Sequence, residues 1–146
     1  MDMTHGKYLG VDYGDVRTGI AECDVSGMLA SGICTVKEGG MKNTATRVAK
    51  EAAERGCKRI IVGLPKNMDG TEGDRAKTVR IFADILKTLT DIPIDFCDER
   101  MSTMQAYRFL DGACTFGKKR RESIDTLSAE LILQSYIDRE RAQGNN

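Results

Sequence analysis

A single histidine, His5, no tryptophan and no Cys-x-x-Cys pair are the clearest gaps in this 146-residue sequence. One imidazole near the start excludes a His-rich zinc site and a Ser-His-Asp triad. The five cysteines, Cys23, Cys34, Cys57, Cys97 and Cys114, are scattered and odd in number. They read as reduced, mostly buried thiols of a cytosolic protein rather than as a disulfide framework. Aromatic residues make up only 5% of the chain, so an open platform for stacking bases is not expected. Net charge is also missing: Lys+Arg and Asp+Glu are each 22. A nucleic-acid partner would have to be met by a local patch. No apolar run of signal-peptide type opens the chain, and none approaches the roughly 20 residues of a membrane span. The expectation is a cytoplasmic protein without a membrane partner. What remains for catalysis is carboxylate, lysine or hard-metal chemistry.

What is present is ordered by a change of period. Three short strand-like segments come first, at 8–13, 18–23 and 31–37, separated by the turn residues Gly14-Asp15 and Ser26-Gly27. Such short links favour an antiparallel meander. Then Met41, Ala45, Val48, Ala49 and Ala52 recur at helical spacing, with Gly56 as a stop. Residues 59–63 form a β-branched strand. A second helix carries Ala76, Val79, Ala83 and Leu86 and is entered through the turn at 70–73. A short strand follows at 94–97. Ser102 with Gln105 forms a capping box that opens a helix. Residues 112–121 read as a loop ending in a basic run, and 124–141 as the last helix, with Ser123 as a candidate N-cap and 142–146 as a frayed tail. The order β-β-β-α-β-α-β-α-α implies an α/β fold, a mixed five-stranded sheet with helices packed on it. The length favours one domain spanning 1–146, with no repeat or linker.

Asp12 ends the first strand. Leu9, Val11 and Tyr13 alternate onto one face, and Gly10, Asp12 and Gly14 onto the other. A carboxylate on a core strand is costly unless it is paired or binds a metal. Alone, Asp12 also fits a residue that caps the following turn. Asp98-Glu99-Arg100 sits at another strand end, where α/β folds place ligand sites, although an acidic turn before a helix would also complement its dipole. Asp125 falls in the first turn of the last helix, on the face of Ala129, Ile132 and Tyr136. That face would press its carboxylate toward the sheet, and the dipole alone would also favour an acid there. Acids from these three segments can converge, and oxygen ligands of this kind hold Mg²⁺ or Mn²⁺.

The segment Val62-Gly63-Leu64-Pro65 leads into a glycine-rich loop from Asn67 to Gly73. Backbone N–H groups there can hold phosphate, although the Gly-Lys-Ser/Thr ending of a Walker loop is absent. Asn67 is expected to be exposed and to contact phosphate or base. The run Lys118-Lys119-Arg120-Arg121, with Arg17 and Arg100, would hold a polyanion by its backbone, or form an ordinary solvated surface.

Together these segments are similar to the YqgF family, also called RuvX. The matching stretches are Gly10-Val11-Asp12-Tyr13-Gly14 with Arg17-Thr18-Gly19-Ile20-Ala21, the Val62-Gly63-Leu64-Pro65…Gly70…Gly73 loop, Asp98-Glu99-Arg100-Met101-Ser102-Thr103 with Ala106, and Ile124-Asp125 with Ser128-Ala129 and Ile132-Leu133. They run in order over nearly the whole chain. Ser128 stands where alanine is common. The family's members are described as Holliday junction resolvases and as nucleases maturing the 5′ end of pre-16S rRNA. The resemblance implies a ribonuclease H-like fold with acidic metal positions at Asp12, Glu99 and Asp125. It implies a metal-dependent nuclease for structured nucleic acid, pre-rRNA or branched DNA, with Arg17, Asn67, Arg100, Lys119 and Arg120 as contacts. Precursor rRNA processing leads, and junction resolution, which needs a dimer, is the alternative to a monomer on RNA. A non-catalytic RNA-binding module, and a nucleotide-binding protein similar to sugar kinases and actin-like ATPases at Asp12-x-Gly, rank lower.

Overall fold

Residues 6–37, 39–101 and 118–144 are described in the computed structural model, with 101, 118–125 and 144 described by their backbone alone. Five strands form one sheet: β1 (Tyr8–Asp12), β2 (Thr18–Cys23), β3 (Ala30–Val36), β4 (Arg59–Leu64) and β5 (Ile94–Asp98). Among the described residues three helices, α1 (Met41–Glu54), α2 (Asp74–Leu89) and α3 (Lys118–Gly144), accompany them, and Glu99–Met101 make a 3-10 turn directly after β5. The sheet order is β3-β2-β1-β4-β5. The first three strands pair antiparallel, as their short links require, and β1-β4 and β4-β5 pair parallel. The mixed five-stranded sheet is as expected. No helix among the described residues is long and apolar enough to cross a membrane.

The pleat of β1 divides the core. Leu9, Val11 and Tyr13 pack with Ala45, Val48, Phe82 and Leu86 of α1 and α2 on one face. On the other, Tyr8, Ala21, Ile61 and Cys97 pack with Ala129, Ile132, Leu133 and Ile137 of α3. β4 is covered on both sides, which is why it reads as an unbroken apolar run rather than an alternation. Gly56 stops α1 as expected. It adopts φ 68°. Its N–H bonds Ala53 O at 3.2 Å and that of Cys57 bonds Ala52 O at 2.9 Å, the double bond of a Schellman ending.

The start of the last helix differs from expectation. Residues 118–121 lie in α3 rather than in a loop, and Ser123 is inside the helix instead of capping it. The helix also runs on to Gly144, through most of the segment expected to fray. Lys, Arg, Glu and Gln are good helix formers, and neither glycine nor proline interrupts the sequence before Gly144. The helix expected from Ser102, and the loop at 112–117, lie outside the described residues.

Among the described residues four cysteines are free, with Cys23, Cys57 and Cys97 buried and Cys34 half-buried. Burial pushes the Cys57 and Cys97 thiols up to about 11 from 9.0. A raised thiol pKa keeps the folded state protonated after the unfolded chain has ionised. Its stabilising contribution is therefore complete below pH 9 and is lost as pH rises toward 11. Denaturant titration should show stability falling by up to about 3 kcal/mol per thiol across that window, with both thiols alkylated slowly at pH 8. Fast alkylation of the native protein would contradict their burial.

Candidate active site

The face of β1 that meets α3 carries Tyr8, Gly10 and Asp12, and its contacts track down the helix. Tyr8 donates its hydroxyl to Glu140 at 3.0 Å. At Gly10, an added Cβ would lie 2.7 Å from Leu133 Cβ and 3.0 Å from the Ala129 carbonyl oxygen. Only glycine lets helix and strand come this close. Asp12 is the next position on that face and is half-buried. Position 125 stands one turn before Ala129 in α3. The Asp125 side chain itself lies outside what is described.

Glu99 arrives from β5. In the parallel register Val11 partners Val62, so Asp12 and Gly63 stand side by side on adjacent strands, about 4.8 Å apart. The Glu99 Oε2 atom lies 2.9 Å, and Ile132 Cδ1 2.5 Å, from where a Gly63 Cβ would be. The missing side chain of Gly63 is thus the space the carboxylate occupies, on the α3 face, next to Asp12. Asp12 ends β1 and Glu99 directly follows β5, so both stand at the C-terminal edge of the parallel strands, the position where open α/β sheets bind ligands. Among the described residues no set of three His, Cys, Asp or Glu side chains is grouped to hold a metal. The Glu99 carboxylate, in the recess a Gly63 Cβ would fill, offers oxygen donors of the kind that suit a hard divalent cation.

The turn after Asp12 is closed by Thr18, which is buried and accepts the Gly14 N–H at 3.3 Å. The turn therefore has its own side-chain cap, which weakens the reading of Asp12 as a capping residue. Arg17 lies half-buried in that connection. Asn67 is exposed, and its amide donates to Thr71 Oγ1 at 2.9 Å while its N–H reaches Thr71 O at 2.8 Å. It braces the loop after β4, whatever else it touches. Arg100 forks onto Asp98 at 2.7–3.2 Å and donates to the Met68 carbonyl at 3.2 Å. This ties the loop after β4 to the end of β5 beside Glu99, and the Arg100 guanidinium holds the Asp98 carboxyl below the usual carboxylate range. Arg100 still offers positive charge at the surface. Lys119 and Arg120 fall on the first turns of α3, where side chains lie outside the described residues.

One residue of this rim was not singled out from the sequence. Arg75, in the first turn of α2, donates its Nη2 to the Tyr13 carbonyl at 2.9 Å, next to Asp12. A cation placed against a helix dipole is the only local signal that would have drawn notice.

Known proteins agree with this architecture. A chain named "Putative pre-16S rRNA nuclease" in Clostridioides difficile is 39% identical over 136 residues, covering 93% of this chain and 96% of its own length. One of the same name in Endomicrobium trichonymphae is 41% identical over 133 residues, covering 90% and 95%. Among solved structures, Thermus thermophilus RuvC in complex with a Holliday junction substrate superimposes with a TM-score of 0.59 at 13% identity, covering 96% of this chain and 97% of that one. At that identity the likeness speaks for the fold, which is ribonuclease H-like. The model of the RuvX family, described as Holliday junction resolvase, matches residues 6–139, and this chain belongs to that family.

Proposed function

We propose that this chain, as one nuclease domain over 1–146, is a divalent-metal-dependent endonuclease of the cytoplasm, hydrolysing phosphodiester bonds in structured RNA at the 5′ end of pre-16S rRNA. The observation that carries the reading is the Glu99 carboxylate seated over Gly63, at the C-terminal edge of the parallel strands where Asp12 ends β1. An acid reaching over a glycine at the C-terminal edge of a parallel sheet, with a second acid ending the neighbouring strand, supplies the oxygen ligands that a hard divalent cation takes. The names of the relatives supply the RNA substrate.

Asp12, Glu99 and Asp125 would hold the cation, Mg²⁺ or Mn²⁺. A bound divalent ion there supplies Lewis-acid chemistry, polarising the phosphate and making water nucleophilic near neutral pH. The protein's own contribution is placement. β1 and β5 fix the two carboxylates on rigid strand ends, and α3 closes the site from one side, excluding water. The Asp98–Arg100 pair locks the neighbouring loop. Arg17, Arg100, Lys119 and Arg120 would contact the phosphates of the strand, and Asn67 a phosphate or base at the loop.

The family description favours a second reading, resolution of a four-way DNA junction, which requires two sites and hence a homodimer. One experiment separates the two: precursor 16S rRNA and a four-way DNA junction are incubated side by side with the protein, with and without Mn²⁺. Mn²⁺-dependent shortening of the RNA 5′ extension with the junction intact is the expected result. Paired nicks in the junction alone would replace it with resolution. Retention of RNA without any metal-dependent product would reduce the chain to a binding module.

A further inference from the structure

Arg75 is held at the site in a way that α2 alone does not explain. It stands in the first turn of that helix, where the dipole disfavours a cation; Asp74 beside it suits the dipole, and the N-cap Gly73 brings no side-chain cap. Its hydrogen bond goes across to the Tyr13 carbonyl at 2.9 Å. That acceptor is neutral, so the bond leaves the charge of the guanidinium intact. The acceptor is also rigid. Tyr13 is 5% exposed and its ring stacks on Phe82, which α2 itself supplies, with centroids 4.4 Å apart. Strand end and helix are therefore clamped together, and the guanidinium is pre-positioned beside the peptide that follows Asp12. One of its five N–H donors is spent on the carbonyl, and the rest remain on an exposed residue at the rim. Planar donors of this kind suit the bidentate binding of phosphate.

We propose that Arg75 is a phosphate-binding positioning residue, holding the phosphate adjacent to the scissile one as RNA crosses the ends of β1 and β4. The inference rests on the reading of these strand ends as a nuclease site. Residues whose local placement is unfavourable concentrate where function demands them, and Arg75 is such a residue.

The test reads binding instead of cleavage. A hairpin RNA with a single-stranded 5′ extension is titrated with full-length Asp12→Asn protein carrying Arg75, Arg75→Gln or Arg75→Lys, between low and high salt. Gln keeps one N–H for the Tyr13 carbonyl and removes the charge. Arg75→Gln is expected to weaken binding about tenfold near 0.1 M salt and to reduce the slope of log Kd against log salt by about 0.7, one phosphate on a single strand. Arg75→Lys should restore the slope but only part of the affinity, because the charge returns without the fork. Melting temperatures should stay together. A Gln variant that binds with the parent's affinity and slope would overturn the proposal and make Arg75 a tether between α2 and β1. An RNA that the parent does not bind would overturn it as well. If binding weakens as expected while the wild-type protein cleaves nothing with Mn²⁺, the nuclease reading fails and the phosphate contact stands.

Discussion

Asp12→Asn is expected to lower the rate of Mn²⁺-dependent RNA cleavage by at least about a hundredfold while leaving the fold intact. The substitution is isosteric and sits at the end of β1, half-buried, where the neighbouring turn is already closed by Thr18. It removes the carboxylate of β1, leaving that of Glu99, which follows β5 and reaches over Gly63 of the intervening β4. Without metal, the isosteric variant should melt close to the wild-type temperature. With Mn²⁺ the wild type should melt higher, since only it gains stability from the ion. Single-turnover cleavage and thermal melts in both conditions read these outcomes. Wild-type cleavage by Asp12→Asn would remove the residue from the site.

Two glycines on the α3 face should respond to alanine in opposite ways. At Gly10 the new Cβ meets Leu133 Cβ at 2.7 Å and the Ala129 carbonyl oxygen at 3.0 Å. Neither atom is the end of a flexible side chain, so α3 must lift from β1. Gly10→Ala is expected to cost about 3 kcal/mol by overpacking. At Gly63 the obstacles are Ile132 Cδ1 at 2.5 Å and Glu99 Oε2 at 2.9 Å, both at side-chain ends that can rotate. Gly63→Ala should cost about 1 kcal/mol or less, yet it takes the space the Glu99 carboxylate occupies. Cleavage should fall at least about tenfold, since displacing a catalytic group by about 1 Å is felt strongly. Denaturant melts and cleavage rates of the two variants should therefore rank in reverse order. Equal loss of stability and activity in both would show that Gly63 serves packing alone.

The parts of this fold that repeat locally were readable in the sequence. β1 alternates, β4 is an unbroken apolar run, and Gly56 follows a helical period, so each element declares itself within a few residues. The start of α3 was not readable. Its basic run reads as a loop, because charge patterning alone cannot tell a solvated helix from a solvated turn. The site was legible as a set of acidic residues, and the resemblance named which of Asp98 and Glu99 to choose. Its supports were not. Arg100 reaches Met68 across 32 residues and Arg75 reaches Tyr13 across 62. Such partners are set by strand order and register, which no local period encodes. The same holds for Gly63, whose need for a missing side chain becomes visible only when Glu99 is placed above it.

The most direct test of one carboxylate site shared by Asp12, Glu99 and Asp125 is a Mn²⁺ titration followed by electron paramagnetic resonance. Wild type, Asp12→Asn, Glu99→Gln and Asp125→Asn are compared in the absence of nucleic acid. Convergence predicts that each substitution weakens Mn²⁺ binding by at least about tenfold, as expected when a charged oxygen ligand is lost. A Glu99→Gln or Asp125→Asn protein that binds Mn²⁺ as tightly as wild type would contradict it, and would leave Asp12 without the partners that give it a catalytic role.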